Sequence, residues 1–407
     1  MGLTLSDIEA ARRTVAPHVL PTPMLPAPKL SALTGATVLV KYENLQVTNS
    51  FKERGALAKL ASLTADQRAR GVIAMSAGNH AQAVAYHAAR LRIPATIVMP
   101  VTTPYVKVAA TASHGAEVVL EGEGLNEAHE RAQAIAQERD LTWVHPYDDE
   151  HVIAGQGTVA LEMLEAVPDL DMLVVPIGGG GLISGMAVAA KGIRSGIKVI
   201  GVQAEVYPSM WNAVRSDNRP FGGATLAEGI AVKSVGLRTL PIVRALVDDI
   251  RLVEEQHIER AVNAYLTLQK TMAEGAGAAG LAAMLAEPDR YAGKKVGLVL
   301  SGGNIDPRIL ASIMVRELER DSRIVSFRVT IPDRPGVLGQ IATKLGALNA
   351  NILEVNHKRL FLDVPAKGAR LDVTVETRDA AHADEIMSSF KEAGFSPVRI
   401  EAGEVME

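Results

Sequence analysis

The stretch Ser50-Phe51-Lys52-Glu53-Arg54-Gly55 decides how the rest of the chain is read. A polar run, Gln46-Val47-Thr48-Asn49, leads into it, and apolar-periodic, helix-forming sequence follows from Ala56 to Leu63. This puts Lys52 at the mouth of a helix, beside an aromatic wall at Phe51. Burial there would lower an ammonium pKa, and a neutral amine attacks carbonyls to form Schiff bases. The plainer reading is a surface lysine that pairs with Glu53, since lysines are mostly exposed.

Outward from this stretch, strand-like and helix-like patterns alternate to about Leu310. Strands are expected at Thr37–Lys41, Val72–Ser76, Ala95–Met99, Glu117–Leu120, Met172–Pro176, Lys198–Ala204 and Lys295–Leu300. Helices are expected at Ala81–Arg90, Lys107–Ser113, Asn126–Arg139 and Leu182–Lys191. Such alternation predicts parallel sheets covered by helices on both faces. Near the start, Ser6-Asp7-Ile8-Glu9 reads as a capping box opening a helix to about Val15. That reading is preferred to acylation at Gly2, because no basic patch accompanies it. The prolines at 21, 23, 26 and 28 mark an extended segment.

Three further stretches carry chemistry. Ser76-Ala77-Gly78-Asn79-His80 closes one strand and opens a helix, where free N–H groups would hold an anion; a plain turn capped by Asn79 competes. Gly178-Gly179-Gly180-Gly181 follows an apolar strand and precedes a helix. A phosphate cradle of main-chain N–H groups is a reason to tolerate four successive glycines; close helix–strand packing is the alternative. No Gly-Lys-Ser/Thr follows, and the spacing is not G-x-G-x-x-G, although Glu205 lies where a ribose ligand would. Ser301-Gly302-Gly303-Asn304 ends another strand, a position suited to ligand contact. Ahead of it, the glycines of Glu274-Gly275-Ala276-Gly277-Ala278-Ala279-Gly280 suggest tight helix packing.

Composition narrows the field. The 407 residues suffice for two or three domains. With 42 basic against 46 acidic residues and no basic block, nucleic acid is an unexpected partner. There is no cysteine, which removes disulfides, thiolate catalysis and sulfur metal ligands. No apolar run reaches spanning length and no signal peptide is visible, so a membrane is not expected and a cytoplasmic location is.

Together the four motifs resemble, in order and spacing, the threonine dehydratase and serine racemase group of pyridoxal-phosphate enzymes. The resemblance covers about residues 5 to 318. It implies an α/β, tryptophan synthase β-like fold of two parallel-sheet subdomains, with a catalytic domain over residues 1–320 and a small subdomain at about 55–150. It implies that Lys52 holds pyridoxal 5′-phosphate as a Schiff base and acts as the catalytic base. Phe51 would flank the ring, Asn79 donate to its phenolic oxygen, Gly178, Gly179, Gly180 and Gly181 bind the phosphate, and Ser301 meet the pyridine nitrogen. Ser76, Gly78, Asn79 and His80 would hold the substrate carboxylate, and Glu274 would support catalysis. Racemases of this group carry a second serine at the position of Ala77, which has no proton to give. Their divalent-metal carboxylates are not matched either, since Glu205 is shifted. The implied reaction is β-elimination of water from L-threonine, and more weakly L-serine, to 2-oxobutanoate or pyruvate and ammonia. No metal is implied beyond a monovalent ion. A serine racemase, a hydroxyaspartate dehydratase and a non-catalytic amino-acid-binding protein are the alternatives.

The last part of the chain differs. Arg316 to Arg323 reads as a linker or helix end. Beyond it a strand (Val325–Ile331), a helix to Leu348, paired strands (Ile352–Phe361, Ala369–Thr377), a helix (Ala380–Ala393) and a strand (Pro397–Glu401) give a ferredoxin-like α+β order. Asp333-Arg334-Pro335-Gly336-Val337-Leu338 and Asn351-Ile352-Leu353-Glu354-Val355 resemble an ACT regulatory domain, placed at 325–407. That resemblance implies a homodimer or homotetramer with an amino-acid effector (isoleucine, valine or serine) near 333–338 and 351–356.

Overall fold

The computed structural model describes residues 2–359 and 368–400. Among the described residues, ten strands precede residue 306. β1 (Met24–Pro26) and β2 (Thr37–Tyr42) open one sheet. β3 (Val72–Met75), β4 (Ala95–Met99), β5 (Glu117–Leu120) and β6 (Thr142–Trp143) form another. β7 (Met172–Pro176), β8 (Lys198–Ala204), β9 (Asp249–Val253) and β10 (Lys295–Leu300) return to the first.

The first sheet has the order β1-β2-β10-β7-β8-β9, parallel except for β1. The second runs β5-β4-β3-β6, all parallel. Parallel strands covered on both faces read as unbroken apolar runs. β7, Met-Leu-Val-Val-Pro, is buried at every position, which is why its bounds are visible in the sequence. Prolines confine β1 to the edge, where Pro26 costs no ladder bond in a central strand. Leu173, Val175, Ile183, Met186 and Val199 meet in the main core. Each contributes about 1.5–3 kcal/mol by leaving water. A separate core under the second sheet gathers Val72, Ala74, Val84, Ile97 and Met99.

One expectation needs correcting. The first helix is Leu5–Val15, and its capping box pairs Thr4 with Asp7, not Ser6 with Glu9. Leu5 packs toward Gly192 and the main core, so the cap falls two residues earlier, at Thr4. The charged run from Arg316 is a helix end, the second of its two expected readings: a helix spans Pro307–Arg320, anchored by buried Ile313.

The chain divides into two compact units, Met1–Asp306 and Pro307–Glu407. Within the second, β11 (Ile324–Pro332), a helix (Val337–Ala347), β12 (Asn351–Lys358), β13 (Gly368–Glu376), a helix (Ala380–Glu392) and β14 (Val398–Ile400) follow in the βαββαβ order. Its antiparallel sheet runs β12-β13-β11-β14, the ferredoxin-like arrangement. Leu360-Phe361 and Glu401, the expected strand ends, lie outside the described residues.

Candidate active site

The site is built where loops leave the carboxyl ends of the parallel strands. Lys52 is the first residue of the helix Lys52–Ala61, with Phe51 at the N-cap. Its half-buried amine donates to the Pro146 carbonyl at 2.7 Å and stands 5.2 Å from the centre of the Phe51 ring. Burial pushes Lys52 down to about 8, and the charge of Glu274 pulls the other way. Glu53 is not its partner. Buried Glu53 instead accepts the Thr48 main-chain N–H and lies 3.5 Å from His87.

The Ser301 loop is joined directly to this stretch. Phe51 N–H donates to Ser301 O at 3.0 Å, Gly303 N–H to Asn49 O at 3.0 Å, and Ser50 pairs with Gly302 in an isolated bridge. Ser301 is 2% exposed. The glycine-rich helix Gly275–Ala286 comes equally close: a Cβ on Gly277 would stand 2.3 Å from Gly302 O. The glycines of that helix therefore serve close packing.

Its N-cap is Glu274. Burial raises Glu274 to about 7, against the hydrogen bond from Asn79 and the charge of Lys107. Asn79 Nδ2 donates to Glu274 Oε1 at 2.7 Å, and Asn304 Nδ2 donates to Asn79 Oδ1 at 2.7 Å. One Asn79 N–H is thus committed to Glu274.

Asn79 opens the helix Asn79–Arg90, so the first-turn N–H groups after Ser76-Ala77-Gly78 lack intrahelical acceptors. Gly78 N–H donates to Ser76 Oγ at 3.3 Å, which shapes the turn. The His80 ring is buried and bonded to Val144 O at 2.8 Å. Burial, aided by the nearby Lys52 charge, pushes it down to about 3. A neutral ring spent on Val144 is no cation for a carboxylate; any share His80 has there falls to its main-chain N–H.

Gly178 to Gly181 lead into the helix Gly181–Ile193. Gly180 has φ +97°, the left-handed region where a side chain is strained. A Cβ on Gly179 would lie 2.3 Å from the Tyr147 ring, and one on Gly181 would lie 2.9 Å from Tyr147 O. Thr239 Oγ1 donates to Gly179 O at 2.7 Å.

The sequence reading missed His145-Pro146-Tyr147-Asp148, which bridges the two stations. Pro146 holds Lys52, and the next residue packs on the glycine run. His145 Nδ1 accepts from the Tyr147 and Asp148 N–H groups, and Asp148 accepts N–H groups from Leu237, Arg238 and Thr239. The signal was a turn-rich cluster straight after β6, a strand only two residues long.

Below the lysine, Arg54 is fully buried between Glu43 and Glu162, with Lys41 on the same carboxylates. Glu205 is half exposed and lies 3.8 Å from Arg219.

A poorly hydrated amine and a glycine run at a helix N-terminus fit pyridoxal phosphate: the first would meet its aldehyde, the second its phosphate. The family model described as "Pyridoxal-phosphate dependent enzyme" matches residues 15–302, and the chain belongs to that family. Its two parallel sheets are the tryptophan synthase β-like fold. The chain is 45% identical over 386 residues to the L-threonine ammonia-lyase of Thermotoga maritima, spanning 94% of this chain and 96% of that protein. Among solved structures it resembles the processed form of threonine deaminase isoform 2 from Solanum lycopersicum, with TM-score 0.73, 34% identity, and coverage of 76% of this chain and 86% of that one. It also resembles maize serine racemase, with TM-score 0.72, 32% identity, and coverage of 79% and 99%.

Proposed function

We propose that this chain is a pyridoxal-phosphate-dependent ammonia-lyase that removes water from L-threonine, and more slowly from L-serine. The products are 2-oxobutanoate or pyruvate, and ammonia. The observation that carries the choice is Ala77. The fold is shared with a racemase, so it does not discriminate. At Ala77 the turn that opens the carboxylate-binding helix offers no acid or base to the second face of the α-carbon.

Bound pyridoxal phosphate supplies the electron sink for the pair released with the α-proton. The protein does the rest. Gly178 to Gly181 and the N-terminus of their helix would take the phosphate, Ser301 would meet the pyridine nitrogen, and Phe51 would wall the ring. The turn Ser76 to His80 takes the substrate carboxylate on main-chain N–H groups. Lys52, near 8, holds or gives up a proton at neutral pH and so serves the α-carbon. Glu274, near 7, sets the charge that Lys52 feels.

The second unit is assigned as an ACT-type regulatory domain, on its βαββαβ order and the Asp333-Arg334-Pro335-Gly336 turn. The division into a catalytic and a regulatory part follows. Isoleucine, valine or serine is the expected effector, and a homodimer or homotetramer the expected assembly. A thermal-shift screen of the full chain against these amino acids tests the assignment, and absence of any shift removes it.

Turnover on threonine, serine and 3-hydroxyaspartate, with D-serine measured alongside, tests the reaction. Racemisation faster than elimination would refute it.

A further inference from the structure

We infer that Asn304 is a positioning residue for the reaction, because it fixes which way round the Asn79 amide stands between the Lys52 loop and Glu274. The inference rests on the lyase reading above and assigns a part to a side chain that lies 225 positions from Asn79 in sequence.

The oxygen and nitrogen of a side-chain amide are nearly isosteric, so an isolated asparagine could face either way. Here the direction is set by a group that cannot be reversed. Asn304 Nδ2 lies 2.9 Å from the main-chain carbonyl of Thr48, which can only accept. That atom is therefore a nitrogen. Its other N–H reaches Asn79 at 2.7 Å, so Asn79 must turn its oxygen to Asn304. Its nitrogen then faces Glu274 Oε1 at 2.7 Å.

Asn49 closes the chain from behind. Its Nδ2 donates to Asn304 Oδ1 at 3.3 Å, and its backbone holds φ 56°. The direction of donation is thus relayed from Asn49 through Asn304 and Asn79 to Glu274. It begins two residues before Phe51 and crosses to the helix that opens at Asn79. A reversed Asn79 would set its carbonyl oxygen against the Glu274 carboxyl and turn its N–H groups away from it. Asn304 carries no charge and donates no proton in the reaction; it acts through Asn79.

Other groups also bear on Glu274. Lys52 faces it from its own helix. Lys107, on the helix Tyr105–Ala112, and Glu228, on the turn Glu228–Ile230, form a pair at 2.7 Å. Substitution at 304 leaves all three in place.

The test uses full-length holoenzyme carrying N304D or N304A. Asn304→Asp keeps the size but replaces the two N–H donors by an acceptor. Asn304→Ala removes the relay without adding charge, and it serves if N304D does not fold. Three readouts are taken: kcat/KM on threonine against pH, the absorbance spectrum of the bound cofactor against pH, and the melting temperature.

Losing the lock costs about tenfold or more in kcat/KM, the usual worth of a hydrogen bond to a charged group. The limb of the profile that belongs to Glu274 moves to higher pH by about one unit, since Asn79 no longer favours the carboxylate. The cofactor spectrum changes its pH dependence in step. A residue that only supported the fold would lower the melting temperature and leave both pH dependences where they were.

If wild type is coloured and active on threonine while a folded variant keeps its pH profile and spectrum, the inference falls and the lyase reading stands. If wild type neither binds the cofactor nor consumes threonine, the lyase reading falls and takes this inference with it.

Discussion

Glu274→Gln separates the charge of the buried carboxyl from its shape. Glutamine can still accept from Asn79 Nδ2 and cap the same helix, but it cannot ionise. Burial, the leading cause, raises Glu274 from 4.5 to about 7, which corresponds to about 3.4 kcal/mol at 1.36 kcal/mol per pH unit. The side chain is only half-buried, and water screens part of this, so about 2 kcal/mol is expected. The sign follows from proton binding. Between 4.5 and about 7 the folded protein holds the proton and the unfolded chain does not. Wild type therefore loses stability as pH rises through that window and stays at its lower level above it.

The assay is urea unfolding of cofactor-stripped protein at pH 5 and pH 8. It is followed by the fluorescence of Trp143 and Trp211, both in the first unit. E274Q should match wild type near pH 5 and exceed it by about 2 kcal/mol at pH 8, roughly half a molar in urea midpoint. On the loaded enzyme it should lose about a hundredfold in kcat/KM if Glu274 holds a working proton. An unchanged stability difference between the two pH values would refute the buried-carboxyl argument, whatever the activity.

Lys52→Ala should lose the amine's whole contribution: turnover falls by roughly a thousandfold or more, and borohydride no longer labels the chain. Because the folded value of Lys52 lies below its unfolded one, stripped wild type should lose stability as pH falls from 10.5 to about 8, and K52A should not. Gly179→Ala sets a methyl 2.3 Å from the Tyr147 ring; cofactor affinity by equilibrium dialysis should drop by about tenfold, and an unchanged affinity would remove Gly179 from the cradle. Arg54→Met leaves buried Glu43 and half-buried Glu162 with one cation fewer, and should lower urea stability by about 3 kcal/mol.

How much of this was legible in the sequence depends on range. β4, β5, β7, β8 and β10 were bounded correctly because each is a continuous run with strong breakers beside it. β6 was invisible at two residues, and with it the Pro146–Tyr147 bridge. The capping box was misplaced by two residues because Leu5 is drawn into the core, a tertiary effect. Among the site residues, Phe51, Lys52 and Ser301 were brought together by β-bridge contacts that no local pattern announces. His80 was named for its chemistry, yet its ring is bonded to Val144; sequence gives a side chain's type and not its direction. The pairing of Asn79 with Glu274, 195 positions apart, had no local signal at all.

Backbone packing explains why the two ends of the candidate cofactor site hold a fixed separation. Lys52 and Gly181 are each the first residue of a helix. Both helices lie against a third, Glu150–Ala166, and the contacts are made by backbone. A Cβ on Gly155 would stand 2.4 Å from Arg54 O, and one on Gly185 would stand 2.2 Å from Ile153 O. Gly55 and Gly157 complete the two seams, with Cβ positions 2.9 Å from Val152 O and 2.7 Å from Gly185 O. Long side chains between helices would leave room for rotamer changes, whereas backbone contact leaves little. The buried Arg54 then ties the lysine helix to Glu162 on the same central helix and to Glu43 beyond β2. That cluster pairs Arg54 and Lys41 with Glu43 and Glu162, so its charges balance and it adds little net field at the amine. The proton affinity of Lys52 is consequently left to its own burial and to Glu274, while the glycine seams set how far it stands from the Gly178 to Gly181 run.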